Sequence, residues 1–161
     1  MTAEETPPRA QTAWLTPDEM GTWRALHGVI SVLPDVLGAR LRRQMNLSFI
    51  EYYVLACLSE QPDHTLRMSR LAFLASSELS RLSHLIRRLE KRGLVRREQD
   101  PADGRSTLAV LTPEGNALAI RAAPVHVDHV RRLMFDVLDK DEQDALRGAL
   151  TKILSKLIED S

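Results

Sequence analysis

Apolar residues recur at intervals of three and four along most of this chain, the period of a helix with one face turned to a core. The first run is Met20, Trp23, Leu26, Ile30, Leu33, Leu37 and Leu41. It predicts a long helix opening beside Thr16, with Pro17 at its first position and Asp18 and Glu19 in its first turn. Pro34 lies inside the run, so a bend is expected near Val32 to Pro34. Ser48 and Glu51 have capping-box spacing and predict a second helix to about Ser59, ended by Gln61-Pro62-Asp63. Thr65-Leu66-Arg67 suits a short strand; Ser69 is then expected to cap a helix over Arg70 to Ala75, with Leu71 and Leu74 inward.

The next helix is expected from Ser77 to about Arg92, where Gly93 stops it. Its wheel places Leu79, Leu82, Leu85, Ile86 and Leu89 on one side and Ser80, Arg81, His84, Arg87, Arg88 and Lys91 on the other. Residues 94–98 and 107–111 read as strands joined by the polar turn Asp100-Pro101-Ala102-Asp103-Gly104-Arg105. Two helices joined by a brief turn, then a hairpin, describe a winged helix-turn-helix. The fold class is therefore mainly α with a small β wing. Thr112-Pro113-Glu114 begins a further helix carrying Leu118, Val125, Val130, Leu133, Met134 and Val137, which Pro124 is expected to kink or divide. Asp139 with Glu142 makes another capping box, opening a last helix with Leu146, Leu150, Ile153, Leu154, Leu157 and Ile158 inward.

Composition narrows the function. The 161 residues carry 22 basic and 22 acidic side chains, a formal net charge of zero. The balance is uneven along the chain, however. Between Thr65 and Arg105 ten basic residues face five acidic ones, which leaves an acidic excess of five elsewhere. A basic lobe on an acidic body is the electrostatic footprint of a polyanion partner. Cys57 is the only cysteine, which excludes an intrachain disulfide and a cysteine-built zinc cage. No apolar run reaches membrane-spanning length and the first residues lack a leader pattern, so a cytoplasmic address is expected. There is no glycine-rich phosphate loop, nucleophile-base arrangement or acidic metal motif, so no enzyme and no cofactor is expected.

The chemistry on offer is nucleic-acid recognition. Ser77 and Ser80 put compact donors near the amino end of the basic helix, where free backbone amides also favour phosphate. Arg81, His84 and Arg87 follow along the same face; arginine can bond guanine bidentately, whereas Arg88 and Lys91 suit phosphates. Arg105, expected at the hairpin tip, suits a narrow minor groove, with Asp103 two residues earlier placed to hold its guanidinium extended. A solvated charged helix followed by an ordinary Asp-Gly turn is the plainer alternative. The scarcity of acidic partners on the helix, only Glu78 and Glu90, weighs against it.

The runs Leu85-Ile86-Arg87-Arg88-Leu89-Glu90-Lys91-Arg92-Gly93-Leu94-Val95, Asp100 to Arg105, and Leu111-Thr112-Pro113-Glu114-Gly115 closely resemble the multiple-antibiotic-resistance regulator (MarR) family of winged helix-turn-helix transcription factors. The resemblance spans about residues 18–158. It implies a homodimer with interlocking first and last helices, a major-groove helix from Ser77, and Arg105 as the minor-groove arginine. The long apolar stripes independently exceed what a small winged domain covers, and two-fold association over them predicts a pseudo-palindromic site. The expected division is a flexible arm (1–16), an N-terminal dimerisation helix (17–45), a DNA-binding domain (46–112) and C-terminal dimerisation helices (113–161). The function read is a sequence-specific regulator of double-stranded DNA, a repressor by promoter occupancy.

Family members also bind small aromatic ligands in an interlobe crevice. Trp23, His27, Tyr52 and Tyr53 are the residues for it here, with Arg42 or Arg43 offering charge, although core packing explains the aromatics equally. Alternatives retained are a thiol sensor acting through Cys57, a regulator gated by such a ligand, and a winged-helix module that binds an acidic protein. His126 and His129, three apart with Asp128 between them, lack a further ligand for a metal, and no metal site is expected.

Overall fold

The computed structural model of the protein describes residues 13–160. The expected arm lies outside the described residues up to position 12. Internal contacts divide the chain inside its first helix, between Leu33 and Pro34, and each part is taken by itself.

In the first part, α1 (Pro17–Met45) begins after four residues without regular structure. The Thr16 amide donates to Glu19 Oε2 at 2.8 Å and the Glu19 amide to Thr16 Oγ1 at 3.3 Å, which occupies amides that the helix start leaves free. Of the predicted stripe, Met20, Leu26 and Leu33 are half-buried, while Trp23 and Ile30 are exposed.

In the second part, α1 stays helical through Pro34, and Leu37 and Leu41 enter the core. The helix ends at Asn46, whose φ of 52° turns the chain. α2 (Phe49–Ser59) opens on the predicted capping box: the Glu51 amide donates to Ser48 Oγ, and the Ser48 amide to Glu51 Oε2 at 2.8 Å. β1 (Thr65–Arg67) then runs straight into α3 (Met68–Leu74). Ser69 is therefore not the cap. Arg67 is still paired with Leu108 in the sheet and is itself the residue before the helix, so no spacer exists for a serine cap.

After a turn in which Ser76 takes a φ of 45°, α4 covers Leu79–Lys91. It starts two residues later than expected, leaving Ser77 in the turn and Leu79 outside the core at 53% exposure. Leu82, Leu85, Ile86 and Leu89 do face inward. They pack with Leu41, Leu47, Leu55, Leu58 and Leu71, each contributing about 2 kcal/mol by burial. Gly93 follows with a φ of 70°, the left-handed step that lets the chain leave the helix.

β2 (Val95–Asp100) and β3 (Asp103–Leu111) form an antiparallel hairpin longer than expected, and β1 pairs with the other edge of β3 to give the order β1-β3-β2. Register runs from Val95 opposite Leu111 to Asp100 opposite Asp103, with an irregularity between Gln99 and Asp100. α5 (Pro113–Val130) passes through Pro124 undivided. Pro124 and Ile120, whose carbonyl loses its partner, are both exposed, so water can take the orphaned bond. The irregularity falls later, in a π-helical turn over Arg131–Phe135. α6 (Lys140–Glu159) opens on the predicted Asp139–Glu142 capping box. Its apolar stripe is not inward within this chain: Leu154, Leu157 and Ile158 are each more than half exposed.

Candidate nucleic-acid interface

Two sequence motifs that are far apart in the chain meet behind α4. Thr112 caps α5 by accepting from the Gly115 amide at 3.0 Å, and its hydroxyl donates to the Gly93 carbonyl at 2.7 Å. Its own amide donates to the Leu94 carbonyl at 3.1 Å. Gly115 lies so close to that turn that a Cβ there would stand 2.0 Å from the Leu94 carbonyl oxygen. The carboxyl end of α4 is thus clamped to the start of α5. From the opposite side, Arg92 donates to the Asn46 carbonyl at 2.9 Å and approaches Glu51 at 3.7 Å.

With its back held in this way, α4 presents Ser80, Arg81, His84, Arg87, Arg88 and Lys91 to solvent, as the wheel predicted. Arg81 lies 3.6 Å from Glu78, and Arg88 3.9 Å from Glu51. Both pairs are long and both guanidinium groups are exposed, although Glu51 itself is largely buried, so the heads stay available. Ser77 precedes the helix, half-buried, and its hydroxyl donates to the Glu78 carbonyl at 3.3 Å.

The wing is braced by contacts that sequence reasoning missed. Glu90 on α4 accepts from the Arg97 side chain at 2.9 Å and from its amide at 3.2 Å, which ties helix to hairpin and holds the Glu90 carboxyl below its usual range. Asp100 is buried, accepting from the Ala102 amide at 2.8 Å and from Arg67 Nε at 2.7 Å. These bonds depress its pKa, the backbone bond most. Arg67 had been counted only as charge; its partner lies 33 residues away and no local pattern marks the pair.

Arg105 is exposed, but on β3 rather than at the hairpin tip, which is Pro101-Ala102. Asp103 does not hold its guanidinium. One carboxylate oxygen accepts from the Arg105 amide at 3.1 Å and the other from Ser106 Oγ at 2.8 Å, because a short side chain in a tight turn reaches nearby backbone first. Asp103 therefore fixes the backbone that carries Arg105, and its own pKa is lowered, by the Ser106 bond chiefly. Between α4 and the wing lies a cleft of about 270 Å³ whose walls include Arg67, Ser83, Arg97 and Arg105.

The other residues singled out are on neither α4 nor the wing. Trp23 and His27 pair with each other at 5.8 Å in the first part of the chain. Tyr52 is buried in the second part, its ring 4.7 Å from that of His126, while Tyr53 is partly exposed and Arg42 and Arg43 are exposed. Cys57 is buried; desolvation pushes its thiol up, away from the reactive thiolate, outweighing the hydrogen bond from Tyr53. His126 and His129 each keep a buried Nδ1 without a partner, and among the described residues no three His, Cys, Asp or Glu side chains group as for a metal ion. Among the described residues no helix is long and apolar enough to cross a membrane.

The family model described as MarR family matches residues 47–107, the stretch from α2 to the wing. The crystal structure of Sco3205, a MarR family transcriptional regulator from Streptomyces coelicolor in complex with DNA, is 40% identical, covers 92% of each chain and has a TM-score of 0.84. AbsC, a MarR family transcriptional regulator from the same organism, is 38% identical over 92% of this chain and 99% of its own, with a TM-score of 0.85. The transcriptional regulator HosA of Escherichia coli O111:H- is 31% identical over 105 residues, 65% of this chain and 76% of its own length. The likeness to the two Streptomyces coelicolor regulators runs along nearly the whole chain: it belongs to the MarR family, a DNA-binding transcriptional regulator and not an enzyme.

Proposed function

We propose that the protein acts in the cytoplasm as a homodimeric repressor that binds a pseudo-palindromic operator. The observation that carries this reading is the pairing of an exposed basic face on α4, its back locked in the core, with an exposed Arg105 on the wing beside it. In this reading the first turns of α4 enter a major groove, where Ser80, Arg81, His84 and Arg87 meet base edges and Arg88 and Lys91 meet phosphates. Ser77, in the turn, adds a hydroxyl at the helix start. Arg105 enters the flanking minor groove. Two such units related by a two-fold axis meet half-sites about one duplex turn apart. Occupancy of a promoter then blocks polymerase.

Selection of bound sequences from a random duplex pool tests the reading. Inverted half-sites at helical-turn spacing are the expected result; recovery of single, unpaired sites would overturn the dimeric operator. On the selected duplex, Arg87→Ala is expected to lose about 1 to 3 kcal/mol and to relax preference at one position. Arg105→Ala is expected to weaken binding most where the flanks are A/T-rich. In transcription from a promoter overlapping the selected site, added protein is expected to lower transcript; a rise would make the protein an activator. A thiol input through Cys57 is disfavoured by its burial and raised pKa.

A further inference from the structure

Leu79 has no place in the core. The wheel assigns it to the buried side of α4, yet it is 53% exposed in the helix's first turn. A single exposed leucine needs no explanation by itself. Its neighbours give it one. It stands on the α4 wall of the cleft whose other walls carry Arg67, Arg97 and Arg105, and Met68 beside it is otherwise buried. On the wheel it lies between Ile86 and Ser83 and beside Glu90, the residue tied to Arg97 of the hairpin, and so on the side facing the wing. An apolar side chain on the rim of a basic cleft offers a polyanion a contact that charge cannot supply.

The inference rests on the reading of α4 as the major-groove element. If α4 occupies a major groove and the wing the next minor groove, the sugar-phosphate strand dividing them runs through this cleft, where Arg105, unlike Arg67 and Arg97, is not taken up by a carboxylate among the described residues and matches its charge. Leu79, on the helix wall, then faces the base edges nearest that strand. The apolar feature on a major-groove edge is the C5-methyl of thymine, and an aliphatic side chain reads it by contact. We propose that Leu79 is a specificity-determining residue that packs on a thymine methyl in each half-site.

Replacing each thymine of a selected duplex in turn by deoxyuridine removes only that methyl. For the wild-type protein, one such position per half-site is expected to weaken binding about fourfold, the worth of one buried methyl. Leu79→Ala, which loses the contact in both half-sites, is expected to weaken binding to the parent duplex about sixteenfold, about fourfold for each methyl, and to show no further loss at those positions. Leu79→Met is expected to keep the methyl dependence. Because the side chain is half exposed, the alanine variant is expected to melt at the wild-type temperature. If every deoxyuridine effect is the same size in wild type and Leu79→Ala, the inference is overturned while the reading of α4 stands. If the wild-type protein does not distinguish the selected duplex from a random one, both fall.

Discussion

Gly115 and Thr112 show how a residue remote from the interface shapes it. The amide of one and the hydroxyl of the other close the joint behind α4, and there is no room for a Cβ at position 115. Gly115→Ala must displace backbone on one side of the joint. It is expected to lower stability by about 2 to 3 kcal/mol, read as a shift of the denaturation midpoint; an unshifted midpoint would mean the joint relaxes freely. Thr112→Val, which removes the cap, is expected to cost about 1 kcal/mol. Both residues belong to a run that the sequence marks as a family motif, but its reason is invisible there, since Leu94 approaches only in three dimensions. The same limit applies to Asp103 and Arg105. Their closeness in sequence is legible, whereas the choice of an amide over a guanidinium depends on the turn that forms.

At the scale of elements, what local chemistry decides was legible. The capping boxes at Ser48 and Asp139, the stop at Gly93 and the polar face of α4 each involve residues within a few positions of one another. The starts of α3 and α4 were not legible, because β1 is held by register with β3 some forty residues on, and the turn after α3 follows from that. The packing of α5 on α2 was also out of reach, and it carries a titratable group. His126 lies among the rings of Tyr52 and Phe49, at 4.7 and 6.0 Å, with His129 on its own helix as the nearby charge. Burial first, and then His129, lowers its pKa below the ordinary 6.5. The unfolded chain therefore takes up the proton first. Stability held above the ordinary histidine range is lost as pH falls through the lower folded value. Melting temperature is expected to drop between about pH 7 and pH 5, and less steeply in His126→Gln. Parallel pH profiles for the two proteins would remove His126 as the cause.

The whole molecule poses a different question, because a single chain leaves its last helix uncovered. Leu146, Leu150, Ile153, Leu154 and Ile158 lie on one stripe of α6, between 38% and 58% exposed. The sequence pattern identified the stripe correctly and placed it inward, which a single chain does not do; periodicity reports that a face is to be covered, not by which molecule. A second copy is the occupant proposed above. Leu154→Glu is then expected to convert dimer to monomer in sedimentation and to weaken operator binding sharply, since one winged unit loses the avidity of two. A variant that stays dimeric would take α6 out of the interface.

The tight approach at Gly115 also has a genetic consequence. Every nonsynonymous single-base change of a glycine codon either adds a Cβ or ends the chain, so no missense change at this position escapes the 2.0 Å approach to Leu94. In a screen for variants that have lost DNA binding, position 115 should therefore appear beside Arg87 and Arg105, although it lies behind α4 at the buried joint and not on the exposed basic face.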